Sequence, residues 1–327
     1  MMVGHALLAF ALVALCARAV GGDERRALLA GVIAGAFAVV PDADMVYALV
    51  GLAQADLTGV FAVTNAFWSA STLVHRAMTH SLVVAPVAAL AAGCWVVRGR
   101  FARIARVLGT ALFVSLVVVA AAKHALLGAV VMGTFVLAAA AVAAAVRDLT
   151  DFSAPVTVAL ALFGLASHPW GDLFTGEAPA MLWPLDAVLV GERVALASDP
   201  TLHLLGAFAL ELATVWLALW VVRDLTALDP RPDPRALAGL AYAAVVFVLP
   251  PPTLDVSYHF VFSILGVGTV LAVPDVARAR LLASLRRLRR EWDGSRLASA
   301  VLNGLTTVTV ALAAYTALYA LRLLVVG

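Results

Sequence analysis

Long apolar segments alternate with short polar connections along the whole chain. Ten segments can be recognised, at about residues 5–20, 27–40, 81–97, 106–122, 125–146, 155–167, 203–222, 236–250, 257–273 and 298–322. Hydrophobic residues make up 64% of the chain and charged residues 13%, which excludes an ordinary soluble domain. In lipid the backbone must satisfy its own hydrogen bonds, and a single segment does so only as a helix. The sequence therefore predicts an all-α polytopic transmembrane helical bundle of about 10 spans, with a range of 8–10.

The two shortest apolar segments, 27–40 and 155–167, fall well below even the roughly 17 residues that a crossing needs at the low end. Both end at polar motifs. Non-helical backbone at membrane depth is tolerated where it lines a cavity enclosed by protein. We therefore expect these two helices to end beside a polar pocket.

Arginines indicate the orientation of the chain, because short cytoplasmic loops are enriched in Lys and Arg. They cluster in four connections, at Arg98 to Arg106, Arg147, Arg223 to Arg235, and Arg278 to Arg296. Placing these connections in the cytoplasm puts both termini outside. It also brings six candidate ligands to extracytoplasmic ends of spans, namely His5, Asp42, Asp44, His75, His80 and His168. We expect a multi-pass protein of the cell membrane with its site facing the extracytoplasmic side.

The remaining charge pattern limits the partners. A net charge of +2, with arginines confined to loops, gives no nucleic-acid footprint, so we expect no nucleic-acid partner. The basic run at 281–290 has apolar positions at helical spacing and is typical of an interfacial helix on anionic lipid headgroups. A binding site for a regulatory partner is the alternative for this run. Membrane lipids are the expected partners, and the sequence does not indicate an oligomeric state.

Five polar motifs interrupt the apolar pattern and contain the candidate metal ligands. They are His5, Pro41 to Asp44, His75-Arg76, Thr79 to Ser81, and Ser167 to Asp172. Imidazoles and carboxylates are the usual ligands of zinc and similar ions, and ionisable groups beside apolar spans are costly unless they have a role. Residues 1–5 carry no Lys or Arg, so we expect the first segment, with His5, to be retained rather than cleaved as a signal peptide.

Each motif also has a structural interpretation. Asp42 and Asp44 can be an acidic loop between helix ends. His75 and His80 are five positions apart, about 140° around an ideal helix, so they can reach one ion only if a turn intervenes. His168 and Asp172 are neighbours on one helical face, with Pro169 placed to begin that helix; Asp172 would otherwise be a helix N-terminal capping group.

The ordered set of motifs resembles the YdjM-like family of membrane-bound metal-dependent hydrolases. The resemblance rests on His5, Pro-Asp-Ala-Asp at 41–44, His-Arg-Ala-Met-Thr-His-Ser at 75–81, Ser-His-Pro-Trp-Gly-Asp at 167–172, Thr175-Gly176 and Leu182-Trp183-Pro184. It covers about residues 1–190, a metal-dependent hydrolase-like membrane domain, and leaves 191–327 as additional spans with a basic cytoplasmic loop at 278–296. Ala77 replaces the family's usual glycine and Met45 its frequent histidine, so a ligand at position 45 is missing.

What the resemblance implies is a hydrolase with bound metal, most simply zinc or else manganese, in one or two ions. The implied ligands are His5, Asp42, Asp44, His75, His80, His168 and Asp172. A weaker likeness to zinc-dependent phospholipase C suggests a phosphoester substrate such as a lipid head group, cleaved by metal-activated water. Asp42 and Asp44 would then bridge ions or orient the water. Arg76 would hold a phosphate oxygen, or form a salt bridge to Asp42 or Asp44.

Two other classes of protein fit the same residues. A metal-stabilised membrane scaffold without turnover would use a closed site, whereas a catalytic site keeps a coordination position open. A transporter with a structural metal site would need a polar path across the bilayer. Segments 236–250 and 298–322 have almost no interior polar groups, which counts against transport.

Overall fold

The computed structural model describes residues 2–54, 76–226, 228, 231–272 and 294–326, together with positions 59, 62, 63, 66, 67 and 69. The described part of the chain is helical and contains no strand, which confirms the all-α prediction. The α-helices are α1 (Met2–Ala19), α2 (Glu24–Val39), α3 (Ala48–Gln54), α4 (Val84–Val96), α5 (Ala102–Leu149), α6 (Ala154–Asp172), α7 (Pro200–Asp224), α8 (Val245–Val248), α9 (Tyr258–Ala272) and α10 (Gly294–Val326). Short 3₁₀ helices cover Val40–Tyr47, Met78–His80, Pro234–Ala244 and Leu254–Val256.

Within the described part of the chain, four helical stretches are long and apolar enough to cross a membrane, namely Glu24–Val50, Ala102–Leu149, Pro200–Asp224 and Ala298–Val325. Shorter apolar helices are Val3–Ala19, Val84–Val96, Pro234–Val248 and Tyr258–Ala272. The count of ten spans and the extracytoplasmic position of the pocket stay predictions. His75 and the basic run from Arg278 to Arg290 lie outside the described residues.

Backbone contacts divide the chain into two compact units, Met1–Val194 and Ala195–Gly327. In the first unit, α1 and α2 pack closely because small residues face each other. A Cβ on Gly31 would lie 2.6 Å from the carbonyl oxygen of Phe10, and one on Gly35 would lie 2.7 Å from that of Ala6. Small residues that let helix backbones approach are the usual device of membrane helix pairs. This contact holds the N-terminal part of α1, with His5, beside the end of α2.

Pro41 marks the end of α2. The α-helix stops at Val39, and the chain continues as a 3₁₀ helix over Val40–Tyr47, with Pro41 in its first turn. A proline in that position has no backbone N–H to donate, so the regular α-helical ladder is interrupted there. The predicted early end of this helix is confirmed, and the tighter 3₁₀ winding buries both Asp42 and Asp44.

α5 is not one continuous helix. His124 (φ −134°, ψ 20°) and Ala125 (φ 51°, ψ −139°) have non-helical backbone angles. A Cβ on Gly128 would collide with the carbonyl oxygen of Ala120, so the two halves meet at a sharp bend. The break coincides with the polar pair Lys123-His124, between the predicted segments 106–122 and 125–146.

α6 packs against both α4 and α2 through glycines. Gly93 of α4 lies against Val158, and a Cβ on Gly164 of α6 would meet the backbone of Ala34 and, at 2.9 Å, the backbone nitrogen of Ala38. The surrounding core is built mainly from Ala, Val and Phe side chains. The C-terminal end of α6 is thereby fixed beside the C-terminal end of α2, which brings two polar motifs together.

In the second unit, α7, α9, α10 and the 3₁₀ helix Pro234–Ala244 enclose a separate apolar core. Tyr315 lies at its centre, with ring centroids 4.9 Å from Phe260 and 6.1 Å from Tyr242. Gly239 packs on the backbone of Thr307, because a Cβ at position 239 would lie 2.5 Å from the Thr307 carbonyl oxygen. The predicted segment 236–250 is therefore helical, but most of it is 3₁₀ rather than α.

Candidate metal centre

Six of the predicted site residues are buried in the first unit. His5, Asp42, Asp44, His80, His168 and Asp172 are each at most 5% exposed. They come from α1, the 3₁₀ helix after α2, the Met78–His80 turn and the end of α6. Burying carboxylates and imidazoles is costly unless they pair with one another or bind a cation. Their mutual geometry therefore decides what they can do.

Asp172 is the last residue of α6, a helix that begins at Ala154 with Pro155 in its first turn. The prediction that Pro169 begins this helix is wrong, because Pro169 lies inside its last turn. The alternative role of Asp172 as an N-terminal cap is also wrong. The C-terminal end of a helix carries partial negative charge, which disfavours a carboxylate. Asp172 consequently depends on cationic partners for its stability.

The tautomer of His168 is set by the backbone of α2. Its Nδ1 lies 2.6 Å from the carbonyl oxygen of Ala38. A carbonyl oxygen can only accept, so Nδ1 must carry the proton and donate it. Nε2 then presents a lone pair to the cluster, as metal-binding histidines do when their other nitrogen is hydrogen-bonded.

The same argument applies to His80. The hydroxyl of Thr79 donates to Asp44 Oδ2 at 2.7 Å, so its oxygen is left to accept from His80 Nδ1 at 2.9 Å. His80 Nδ1 therefore carries the proton, and Nε2 faces the cluster. Burial lowers the pKa of His80 below its ordinary value of 6.5, and the nearby Asp172 carboxylate, which favours the protonated ring, opposes this only in part. A neutral imidazole is the form that binds metal.

The two Nε2 atoms of His80 and His168 lie 3.1 Å apart. With both Nδ1 atoms protonated, two lone pairs face each other at this distance, so a shared positive charge, a proton or a metal ion, is required between them. Asp172 Oδ2 lies 3.1 Å from His80 Nε2 and 3.5 Å from His168 Nε2. Asp42 Oδ1 lies 3.8 Å and 3.4 Å from the same two nitrogens.

Asp42, His80 and His168 form a group that could hold a metal ion, and Asp172 Oδ2 lies beside both imidazoles. Two ligands bound ~2.05 Å from a zinc ion at the tetrahedral angle are about 3.3 Å apart. Five of the six separations among the four atoms run from 3.1 to 3.8 Å. Asp42 Oδ2 and Asp172 Oδ2 are also buried without a hydrogen-bond donor. The residues therefore fit a divalent metal ion.

The other oxygen of Asp172 has different partners. Asp172 Oδ1 lies 3.1 Å from His5 Nε2 and 3.4 Å from Arg76 Nη2. His5 also stacks on His168, with ring centroids 3.9 Å apart. A second cation beside Oδ1 would be repelled by the Arg76 guanidinium, which favours one ion over two. His5 and Arg76 thus orient Asp172 from the far side.

Arg76 is held by several contacts. Its Nη2 donates to Thr175 Oγ1 at 2.9 Å, and its Nη1 donates to the carbonyl oxygens of Glu177 and Asp172 at 3.0 and 3.2 Å. Its backbone has φ 65°, a left-handed conformation that is uncommon without glycine and is often found at functional positions. The expected salt bridge to Asp42 or Asp44 is not the one observed, since the carboxylate beside Arg76 is that of Asp172.

The motif Leu182-Trp183-Pro184 lies next to the His80 turn. Ser81 Oγ donates to the carbonyl oxygens of Trp183 and Met181, and the backbone N–H of Leu82 donates to Met181 at 2.8 Å. Ser81 also accepts from the N–H groups of Val83 and Val84 at the start of α4. One serine therefore fixes the turn, the helix start and the loop relative to one another.

The structure thus brings together Asp42, His80, His168 and Asp172, with His5 and Arg76 against Asp172 and Asp44 behind His80. Sequence reasoning missed three contributors: the Ala38 carbonyl, the hydroxyl of Thr79 as a link to Asp44, and Thr175 with Gly176. A Cβ on Gly176 would collide with the Arg76 guanidinium. Thr79, Thr175 and Gly176 stand inside the quoted motifs, but a backbone carbonyl leaves no trace in the sequence.

Apolar helices that enclose buried histidines and aspartates define a class, the helical membrane proteins, and these buried groups could hold a metal ion. Residues 1–250 match the model of the YdjM inner membrane protein family, and the chain belongs to that family. The match confirms the resemblance and extends past Pro184, the last residue of the motifs that carried it. No curated protein and no solved structure matches the chain.

Proposed function

We propose that this protein is a membrane-embedded metal-dependent hydrolase that acts on a phosphoester such as a lipid head group. The observation that carries the proposal is the 3.1 Å approach of His80 Nε2 and His168 Nε2, flanked by two buried carboxylates. His80, His168 and Asp172 would hold one divalent ion, zinc or manganese. Bound there, a divalent ion would lower the pKa of a water molecule to about 7 and polarise a phosphoryl oxygen.

Asp42 has the geometry of a general base. Among the three atoms that surround His80 Nε2, Asp42 Oδ1 is the most distant, at 3.8 Å. Asp42 Oδ2 accepts no hydrogen bond. A carboxylate in this position can accept the proton of the attacking water. Arg76 would keep Asp172 in place, while its buried Nε, which has no acceptor, is available to a phosphate oxygen.

A cavity of about 190 Å³ supports a lipid substrate. It lies between the segment after Pro41 and the second half of α5, and Asp44 is the one acidic residue among the described residues that line it. The other lining residues are Val46, Tyr47, Leu49, Val50, Val130, Val131 and Thr134. An apolar cavity of this kind suits part of an acyl chain better than a soluble phosphoester.

Metal analysis is the first test. Protein purified in detergent without chelator, and then supplied with Zn²⁺ or Mn²⁺, is expected to hold one ion per chain, whereas His80→Ala and Asp172→Ala hold none. His124→Ala is the matched control, since this histidine contacts Trp183 and lies outside the cluster. A phosphoester screen of the metal-loaded protein should then compare phospholipid head groups with soluble phosphodiesters. A wild-type protein that takes up no metal would overturn the proposal.

The second candidate function is a metal-stabilised scaffold, and one observation favours it. Asp42 and Asp172 together with the two imidazoles, all buried, would complete a four-ligand shell and leave no open position. Asp42→Asn separates the two functions. If Asp42 is a base, the variant keeps its metal and loses turnover; if Asp42 is the fourth ligand of a closed site, the variant loses metal affinity and the wild type shows no turnover.

A further inference from the structure

Asp44, Thr79 and His80 form a hydrogen-bonded row behind the proposed metal position. Thr79 Oγ1 donates to Asp44 Oδ2 at 2.7 Å and accepts from His80 Nδ1 at 2.9 Å. Asp44 Oδ2 also lies 3.6 Å from His80 Nδ1. All three residues are at most 3% exposed, so water cannot replace either hydrogen bond. The row links the 3₁₀ helix after Pro41 to the Met78–His80 turn.

Asp44 lies on the Nδ1 side of His80, which faces away from the proposed metal position. Asp44 therefore cannot bind the same ion as His80. The two ring nitrogens of an imidazole point away from each other, and Asp44 is on the Nδ1 side. His168, Asp42 and Asp172 all approach the Nε2 side. Asp44 therefore belongs behind the ligand, where a carboxylate raises the basicity of a metal-binding histidine and fixes its ring.

We propose that Thr79 is a positioning residue that, backed by Asp44, holds His80 in the Nδ1–H tautomer and so aims Nε2 at the metal ion. The tautomer follows from the hydrogen bonds alone, while the effect on metal binding rests on the proposed function. A hydroxyl is needed at position 79 because it donates and accepts at the same time. Valine has the same shape without that capacity.

The first experiment reads the tautomer directly in the metal-free protein. ¹⁵N-histidine NMR in lipid nanodiscs, at a pH where the ring is neutral, distinguishes a protonated Nδ1 from a protonated Nε2. The His80 signal is assigned by its loss in His80→Ala. We expect Nδ1–H in the wild type and in Thr79→Ser, and a mixture of tautomers in Thr79→Val.

The second experiment measures the Zn²⁺ dissociation constant of the same variants. Thr79→Val should weaken binding by about 10–100-fold, the usual effect of losing a residue behind a metal ligand. Thr79→Ser should remain close to wild type. Asp44→Asn should weaken binding but still reach one ion per chain at saturating Zn²⁺, because it removes charge and not a ligand.

Thr157→Val is the matched control, since Thr157 is equally buried and its hydroxyl bonds only to the Ser153 carbonyl at the other end of α6. It should change neither readout. Wild-type tautomer and wild-type affinity in Thr79→Val would overturn the inference. If the wild type binds no metal, the proposed function fails, and the tautomer change in Thr79→Val still decides the role of Thr79.

Discussion

His168 Nδ1 lies 2.6 Å from the carbonyl oxygen of Ala38, 130 positions earlier in the chain. This one hydrogen bond connects the last turn of α6 to the last turn of α2 and decides which nitrogen of His168 faces the cluster. The interaction is possible because α2 stops at Val39, which leaves carbonyls of its final turn without intrahelical partners. α2 thus contributes to the site through its backbone, and the 3₁₀ helix that follows it contributes Asp42.

The contact between α6 and α2 is expected to control metal binding through Gly164. This glycine is one helical turn before His168, and a Cβ there would press on the backbone of Ala34 and Ala38. Gly164→Ala should destabilise the fold by about 1–3 kcal/mol and weaken Zn²⁺ binding, because α6 moves away from the Ala38 carbonyl.

Thermal unfolding and a Zn²⁺ titration check this prediction. Gly133→Ala is the control, since a Cβ at Gly133 meets nothing within 4 Å and alanine favours the helix. An equal response of the two variants would argue against the contact.

The packing of His5 on Gly171 predicts a second dependence. A Cβ on Gly171 would lie 2.5 Å from His5 Cε1 and 2.6 Å from His5 Nδ1. Gly171→Ala should displace the ring, break the His5 contact with Asp172 Oδ1 and lower metal affinity. In a His5→Ala background the same substitution should have little further effect, because the ring is already absent. Additive losses in this double-mutant cycle, measured by Zn²⁺ titration, would contradict the mechanism.

Arg76→Lys should weaken metal binding although it keeps the charge. The guanidinium reaches Thr175, Glu177 and Asp172 together, and a single ammonium cannot make these contacts in one plane. We expect a loss of affinity of about 10-fold.

Arg98→Lys provides the comparison for Arg76→Lys. The Arg98 guanidinium donates hydrogen bonds to the carbonyl oxygens of Arg147, Thr150 and Phe152, away from the cluster. The Arg98→Lys substitution should lower the melting temperature without changing metal affinity. If both substitutions affect only the melting temperature, Arg76 has no role in orienting Asp172.

Removing the metal should destabilise the protein. A ligand that binds only the folded state stabilises it by about 2.7 kcal/mol at 100 times its dissociation constant. Chelation should therefore lower the melting temperature of the metal-loaded wild type, and added Zn²⁺ should restore it. His168→Ala, which lacks a ligand, should melt at one temperature with or without chelator. A chelator effect of equal size in this variant would place the metal elsewhere.

The fold class could be predicted from hydropathy alone, because a single apolar segment in lipid can satisfy its backbone hydrogen bonds only as a helix. The site was predictable as a set of residue types, since ionisable side chains are rare beside apolar helices and stand out. The continuation of α6 through the polar motif was not predictable, because Pro169 has the local signature of a helix N-terminus and only the packing of Ala154–Asp172 against α2 and α4 overrides it. Asp44 was grouped with Asp42 for a similar reason: neighbouring carboxylates look equivalent until the winding of the chain separates them.

The sequence by itself determined the class of the protein, its family and the chemistry of its buried groups, because composition and motif order are local properties. Only the tertiary structure decided which atoms meet. The Nε2 atoms of His80 and His168 face each other because Thr79 and Ala38 occupy the other ring nitrogens. Asp172 needs cations because it closes a helix rather than opening one. Those relationships join residues far apart in the chain, and the packing of helices around small residues fixes them.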